Sequence, residues 1–131
     1  MSTLAISVFT DEQYDSGLLV VLGSDTTEAK LATKSHDPKV LGVTTDLNNC
    51  EITLAEFGNN ATFPLVAVAG RIDCQVQGPI DEGDCVVTSD QPGIGQKLDP
   101  TKWVPGCIIG KAVNAIPDDS VQLINIVVGL H

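Results

Sequence analysis

The sequence predicts an all-β fold, a compact β-barrel or β-sandwich of short antiparallel strands. Apolar and polar residues alternate with a period of two in several stretches, as they do in strands buried on one face. No stretch keeps the apolar spacing of a helix. Clusters of Gly, Pro, Asn and Asp separate the apolar stretches at short intervals, which is typical of barrels and sandwiches. With 131 residues, the chain is the size of a single domain.

The N-terminal half divides into a strand or arm with a loop over residues 1–16 and the beginning of the barrel or sandwich, which covers residues 17–131. Alternating or apolar runs predict short strands at residues 4–9, 18–22, 28–33, 40–43 and 51–55. Turn residues punctuate these runs at Gly23–Asp25, Asp37–Pro38 and Gly58–Asn60. Each strand is therefore short and bounded by a turn.

A much longer strand is predicted from Pro64 to Gln77. Its even positions are apolar apart from Gly70, whereas its odd positions are apolar before Gly70 and polar from Arg71 onward. Strands usually have five or six residues, and a glycine inside a longer one marks a place where a bulge or bend turns the chain. We therefore expect this strand to turn a corner at Gly70.

The C-terminal half begins with a tight turn at Asp81–Asp84, for which Gly83 is expected to adopt the left-handed conformation. A short strand at residues 85–87 leads into an irregular, proline- and glycine-rich stretch at residues 89–106, with one helical turn near residues 101–103. Two strands, at about residues 107–116 and 121–130, close the chain.

The two halves of the sequence show weak internal similarity. Three pairs of segments are similar and occur in the same order: Gly17–Val21 with Gly83–Val87, Val40–Gly42 with Ile108–Gly110, and Glu51–Leu54 with Gln122–Asn125. One interpretation is a duplicated β unit on either side of the long strand. The other is that β proteins reuse such short strings by chance, and the residues do not choose between the two.

Composition restricts the partners and the compartment. The formal net charge of −10 opposes binding to nucleic acid and to anionic membranes. Cys74, Cys85 and Cys107 each lie in an apolar run, and with Cys50 they form no Cys-x-x-Cys pair, so we expect free thiols and synthesis in a reducing cytoplasm. No leader peptide or membrane-spanning run is expected.

No arrangement of residues points to catalysis. His36 and His131 are the two histidines, and neither follows a nucleophile-elbow pattern, so we expect both to be solvated and the protein not to be an enzyme. Asp81, Glu82 and Asp84 lack the spacing of a calcium loop and are better explained by a turn. We therefore predict no cofactor and no bound metal.

Two strands carry apolar residues on both faces, and a chain of this length has difficulty covering them alone. The residues predicted to form an interface with another copy or another protein are Leu65, Ala67, Ala69, Arg71, Leu123 and Val127. The alternative is a core closed within one subunit. Arg71 lies on the polar half of the long strand, where it either pairs with an acid across a subunit boundary or, as we prefer, forms a cross-strand pair on the surface of one subunit. Trp103 is either a ligand platform, an interface anchor or a plug at one end of a barrel.

Five segments resemble a β module of virion proteins of tailed bacteriophages, found in tail fibres and spikes and similar to small capsid cement (decoration) proteins. They are Gly17–Val21, Val40–Val43, Pro64–Arg71, Val76–Gly93 and Ile108–Ala112. The resemblance implies a virion structural protein, made in the host cytoplasm, that forms a symmetric homo-oligomer, a trimer being expected, and contacts the major capsid protein or other virion proteins. The alternative that it implies is a tail-fibre or baseplate module that binds a receptor or glycan. Such motifs mark a fold more than an activity.

Overall fold

The computed structural model describes residues 4–7, 9–10, 14–23, 28–45, 52–54 and 65–129. These residues confirm the all-β prediction: eleven strands are joined in one hydrogen-bonded sheet that contains a closed five-stranded barrel. The strands are β1 (Leu4–Ser7), β2 (Phe9–Thr10), β3 (Leu19–Leu22), β4 (Glu28–Leu31), β5 (Val40–Thr45), β6 (Ile52–Leu54), β7 (Leu65–Gln77), β8 (Cys85–Thr88), β9 (Gly95–Lys97), β10 (Ile108–Ala112) and β11 (Val121–Val128). A 3-10 turn at Pro100–Lys102 is the predicted helical turn. Among the described residues, no helix has the length and apolar character needed to cross a membrane.

The closed barrel is formed by the C-terminal half of the chain. Its strands follow the order β11-β10-β8-β9-β7, and β11 closes the circuit by pairing with the second half of β7. The even positions of that half, Ile72, Cys74 and Val76, are buried together with Ile124 and Ile126 of β11. Burial of these apolar side chains is the main favourable contribution to the stability of the barrel.

The N-terminal half repeats this order of pairing. In that half, β2 pairs in parallel with β4, and the order of paired strands continues as β4-β3-β5-β7-β1. Strands β1 and β2, at the two ends of this order, are separated in sequence only by residue 8. The registers of the two halves match, since Val20 lies opposite Gly42 and Val86 lies opposite Gly110. The parallel pairing of β2 with β4 has its counterpart in that of β7 with β9.

The turns before β3 and β8 repeat as well. Gly17 and Gly83 both have φ of 86°, as predicted for Gly83. The Gly17 N–H donates to the Thr44 carbonyl at 2.8 Å, and the Gly83 N–H donates to the Ala112 carbonyl at 2.8 Å. The structure thus contains a duplicated unit, and the first two sequence similarities reflect it. The third similarity, between Glu51–Leu54 and Gln122–Asn125, does not reflect the duplication. Strand β6 pairs with β1, whereas the counterpart of β11 is the first half of β7.

Strand β7 is long because it belongs to both units. Over residues 65–69 it pairs with β1 and β5, and over residues 70–77 with β11. Gly70, with φ of 101°, lies at the junction, where the sequence predicted a bend. The 13 residues of β7 are therefore two consecutive strands of ordinary length, one from each unit.

Two details of the predicted architecture are wrong. Not every strand is antiparallel, since β1–β6, β2–β4 and β7–β9 are parallel pairs. Strand β9 lies inside the stretch predicted to be irregular, because Gly95-Gln96-Lys97 shows no apolar alternation. Gly95 is buried, and a Cβ at this position would lie 3.0 Å from Val86 Cγ1, so the backbone itself fills the space that a side chain fills elsewhere.

Candidate functional site

Two of the six residues predicted to form an interface belong to the core. Leu65 and Ala67 have no exposed surface. Ala67 lies opposite Val43 on one side and opposite Ala5 on the other, because both edges of this part of β7 are paired. Their predicted role at an interface is therefore replaced by a role in packing within the subunit.

Three of the other four share one surface. Arg71, Leu123 and Val127 lie on the outer face of the paired strands β7 and β11, with Arg71 directly opposite Val127. Arg71 and Leu123 are exposed, and Val127 is half-buried. The fourth residue, Ala69, is half-buried just before the junction at Gly70. We call the outer face formed by residues 71, 73, 75 and 77 of β7 and 121, 123, 125 and 127 of β11 the β7–β11 face.

The β7–β11 face has a polar middle and an apolar end. In the middle, Arg71 Nε donates to Asn125 Oδ1, and Asn125 Nδ2 donates to Asp73 Oδ1 at 3.1 Å. At the end, Val121 is 42% exposed and Leu123 is 59% exposed. The backbone of both residues pairs with β7, Val121 opposite Gln77 and Leu123 opposite Gln75, whereas β10 pairs with β11 only at residues 126–128. The face thus presents an apolar patch at the end of β11 that is paired on one side.

The duplication shows how unusual this exposure is within the molecule. Val43 lies opposite Ala67 in the first unit as Lys111 lies opposite Val127 in the second. Val43 and Ala67 are fully buried and belong to a core cluster that continues into the second unit, where Ile72 is a member. Lys111 is exposed and Val127 is half-buried. A face that is covered in the first unit is therefore open in the second.

A cleft of about 400 Å³ lies between equivalent connections of the two units. One wall comes from the segment between β4 and β5, and the other from the segment between β9 and β10. The lining residues are Lys34, Ser35, His36, Pro38, Lys102, Val104 and Pro105. Clefts between structural units are common places for ligands to bind.

His36 joins the two walls, and the prediction that it is solvated is wrong. It is 6% exposed and has φ of 56°, a conformation that is rare for residues other than glycine. Its Nε2 accepts the Asp99 backbone N–H at 3.0 Å, so the ring proton resides on Nδ1, which lies 2.6 Å from Ser35 Oγ. Nδ1–H then donates to the hydroxyl oxygen. The ring nitrogen facing Ser35 carries a proton and cannot activate that hydroxyl as a base.

Three further hydrogen bonds join the segment that carries His36 to Thr88 of the second unit. The His36 N–H donates to the Thr88 carbonyl at 3.1 Å, and the Asp37 N–H donates to Thr88 Oγ1 at 2.8 Å. The Thr88 hydroxyl in turn donates to the Lys34 carbonyl at 2.7 Å. Thr88 has no exposed surface, so these bonds are shielded from water. The left-handed backbone of His36 is therefore held in place by its surroundings.

Trp103 lies beside the cleft in sequence but does not line it. Its side chain is 53% exposed, so the interpretation that it plugs the end of a barrel is wrong. Val104, which follows it, is 38% exposed and does line the cleft. Trp103 remains a candidate for contact with another molecule.

The acidic turn at Asp81–Asp84 has the predicted turn geometry. The Asp84 N–H donates to the Asp81 carbonyl at 3.1 Å, and Asp84 Oδ2 accepts the Asp81 N–H at 2.9 Å. In the described part of the chain, no group of three or more His, Cys, Asp or Glu side chains is arranged to hold a metal ion. Cys74 and Cys107 are buried free thiols as expected, while Cys85 is half-buried. Cys50 and His131 lie outside the described residues.

No family model matches this chain, and no curated protein matches its sequence significantly. The resemblance to phage virion modules therefore depends on the sequence motifs alone. Sequence reasoning identified Arg71, Leu123 and Val127 but missed the cleft. The only signal of the cleft in the sequence is a histidine placed directly before Asp-Pro. This motif does not indicate that residues 34–38 lie against residues 99–105.

Proposed function

We propose that this protein is a structural protein of a bacteriophage virion, a cement protein that associates with itself and joins neighbouring capsid subunits. The five sequence segments that resemble cement and tail modules support the virion role. The β7–β11 face supports self-association, with a second copy of this chain as its partner. The protein is then made in the host cytoplasm and resides on the particle.

The observation that carries the proposal is the contrast between Ala67 and Val127. These residues occupy equivalent places in the two units, yet Ala67 has no exposed surface and Val127 lies on the open β7–β11 face, which also carries Leu123. Covering Leu123, which is 59% exposed, would remove apolar surface from water.

A symmetric trimer is the assembly that we propose, because it follows from the resemblance. In a closed ring, the apolar patch of each subunit contacts the next subunit, so no copy of the patch remains exposed. The net charge of −10 keeps the outside of such an assembly, and of particles that carry it, soluble.

Sedimentation equilibrium of the purified chain tests self-association. We expect a mass that is a multiple of 13.7 kDa, three for the trimer, and dissociation by Leu123→Asp, which places a charge in the covered patch. Leu22→Asp is the matched control, since Leu22 is an exposed leucine (45%) on β3, away from the β7–β11 face. A wild-type monomer at high concentration, or equal dissociation by both variants, would contradict the proposal.

Electron microscopy of purified particles tests the location. Hundreds of copies distributed over the shell would agree with a cement protein. A few copies at the tail would instead indicate a fibre or baseplate component, and absence from particles would rule out both roles.

A second candidate function is receptor or glycan binding by a tail-fibre or baseplate module. The observation that favours it is the exposed ring of Trp103, which is 53% accessible on a proline-bounded segment. Aromatic side chains that are partly exposed to solvent are common at binding surfaces. A Trp103→Ala variant that assembles normally but no longer binds host cells would support this candidate, whereas unchanged binding would oppose it.

A further inference from the structure

We propose that the cleft between residues 34–38 and residues 102–105 binds a small ligand that carries a carboxylate or phosphate group. Its anionic group is held by the Ser35 hydroxyl and by the ammonium groups of Lys34 and Lys102. This inference depends on the cleft alone and is independent of a virion role.

The first step concerns the direction in which the Ser35 hydroxyl donates. Ser35 Oγ accepts Nδ1–H of His36, because the Asp99 N–H occupies Nε2 of the same ring. It also lies 3.0 Å from Gln96 Nε2, and that atom is the amide nitrogen because it lies 3.1 Å from the Thr88 carbonyl oxygen, which can only accept. Both neighbours of Ser35 Oγ are thus donors. The hydroxyl hydrogen is left to point toward an acceptor elsewhere, and Ser35 lines the cleft.

The second step concerns the positive charge. Two of the seven cationic residues of the chain, Lys34 and Lys102, line the cleft, and none of the described residues that line it is acidic. Elsewhere on the surface, Lys97 forms an ion pair with Asp84 at 3.6 Å. Within the described ranges, neither of the cleft lysines has such a carboxylate partner within 4.0 Å.

The third step concerns three acids near the cleft, Asp37, Asp90 and Asp99, each of which accepts a hydrogen bond from a backbone N–H. Asp90 Oδ1 accepts the Ser35 N–H at 3.0 Å, and Asp37 Oδ1 accepts the Lys39 N–H at 2.9 Å. Asp99 is near enough to Lys102 to be affected by its charge, but Asp99 Oδ1 accepts from Thr101 N and Thr101 Oγ1. These hydrogen bonds hold the three carboxylates in their loops, and none of the three lies within 4.0 Å of the ammonium group of Lys34 or Lys102.

The rest of the cleft indicates the remainder of the ligand. Pro38, Val104 and Pro105 supply apolar lining, and the volume of about 400 Å³ falls in the range of small-molecule sites. The ligand is therefore an anion with an apolar body. The strongly negative chain repels anions at long range, so we expect a dissociation constant on the order of millimolar for simple probes.

Backbone amide NMR with three aromatic probes tests the proposal. Benzoate and phenyl phosphate carry the two anionic groups, and benzamide is an uncharged probe of the same shape. We expect benzoate, phenyl phosphate or both to shift amides of residues 34–36 and 102–104, and benzamide to bind at least tenfold more weakly. The anion that binds more tightly identifies the natural ligand group as carboxylate or phosphate.

Variants separate the cleft from the rest of the surface. We expect Lys34→Met combined with Lys102→Met to weaken binding at least tenfold and Ser35→Ala about tenfold. Lys111→Met, at an exposed lysine on β10, should change binding less than twofold. The lysine variants change surface groups and keep the fold testable even if Ser35→Ala destabilises it. Equal binding of benzamide, shifts spread away from the cleft, or equal effects of the double variant and Lys111→Met would overturn the proposal.

Discussion

Gly42 and Gly110 occupy equivalent places in the two halves of the molecule, each in the middle strand of three. An added Cβ would meet the Ala67 carbonyl oxygen at Gly42 and the Val127 carbonyl oxygen at Gly110, both well inside 3.0 Å. Neither glycine has a positive φ. The requirement for glycine at these positions therefore comes from the close approach of the neighbouring strand, and it is the same requirement in both units.

We predict that Gly42→Ala and Gly110→Ala each lower the free energy of unfolding by about 1–3 kcal/mol, because a methyl group would force the strands apart. Urea unfolding followed by circular dichroism measures the change. Gly83→Asn is the control, since a Cβ at Gly83 has no atom within 4 Å and Asn tolerates its φ of 86°. We expect Gly83→Asn to cost less than about 1 kcal/mol. Wild-type stability of either alanine variant would show that the strands are not packed as described.

His36 provides a test of backbone strain. His36→Ala removes the bonds to Ser35 and Asp99 but keeps a Cβ in the left-handed conformation, whereas His36→Gly removes the same bonds and relieves that strain. We expect a loss of about 2–4 kcal/mol for His36→Ala and about 1 kcal/mol less for His36→Gly. Parallel urea titrations decide the order. A His36→Ala protein as stable as His36→Gly would contradict it.

Cys74 should resist thiol reagents in the folded protein. Burial, assisted by the negative charge of Asp73, raises the pKa of its thiol to about 12, so the reactive thiolate is scarce at pH 8. We expect iodoacetamide at that pH to modify the half-buried Cys85 before Cys74 and to leave Cys74 unmodified until urea unfolds the chain. Peptide mapping assigns each site. Rapid native modification of Cys74 would mean that the barrel opens readily.

Two aspartates should titrate below their ordinary range, each because of a different neighbour. Hydrogen bonds from the Ser120 side chain and backbone lower the pKa of Asp118, and those from Thr101 lower the pKa of Asp99. Since the folded state favours the ionised forms, the resulting stabilisation is present above pH about 4 and is lost as the pH falls through the folded values.

Carboxyl NMR titration of paired variants checks these causes. Ser120→Ala should raise the pKa of Asp118 toward 3.8 and leave that of Asp99 unchanged, and Thr101→Ala should do the reverse. Each variant is thus the control for the other. A shift of both aspartates in either variant would show that the effect comes from the whole fold and not from the local hydrogen bond.

The cleft and the β7–β11 face differ in how far the sequence predicted them. Leu123 interrupts an alternating pattern, which is why the sequence selected it as an interface candidate, and the structure places its side chain on the surface. His36 could not be placed, because its burial depends on bonds to Asp99 and Thr88, residues far away in the chain. Leu65 and Ala67 were misplaced for a similar reason: the sequence shows apolar residues on both faces of β7 but not which strands cover them.

The sequence by itself determined the all-β class and the turn at Gly83 and marked Gly70 as a special position in the long strand, because alternation and backbone conformational freedom are properties of neighbouring residues. The tertiary structure alone decided that β7 serves two units, that β9 is a strand and that Lys34 and Lys102 line one cleft. Strand pairing joins residues that are distant in sequence. The choice of partner depends on packing of the whole chain, which no short stretch encodes.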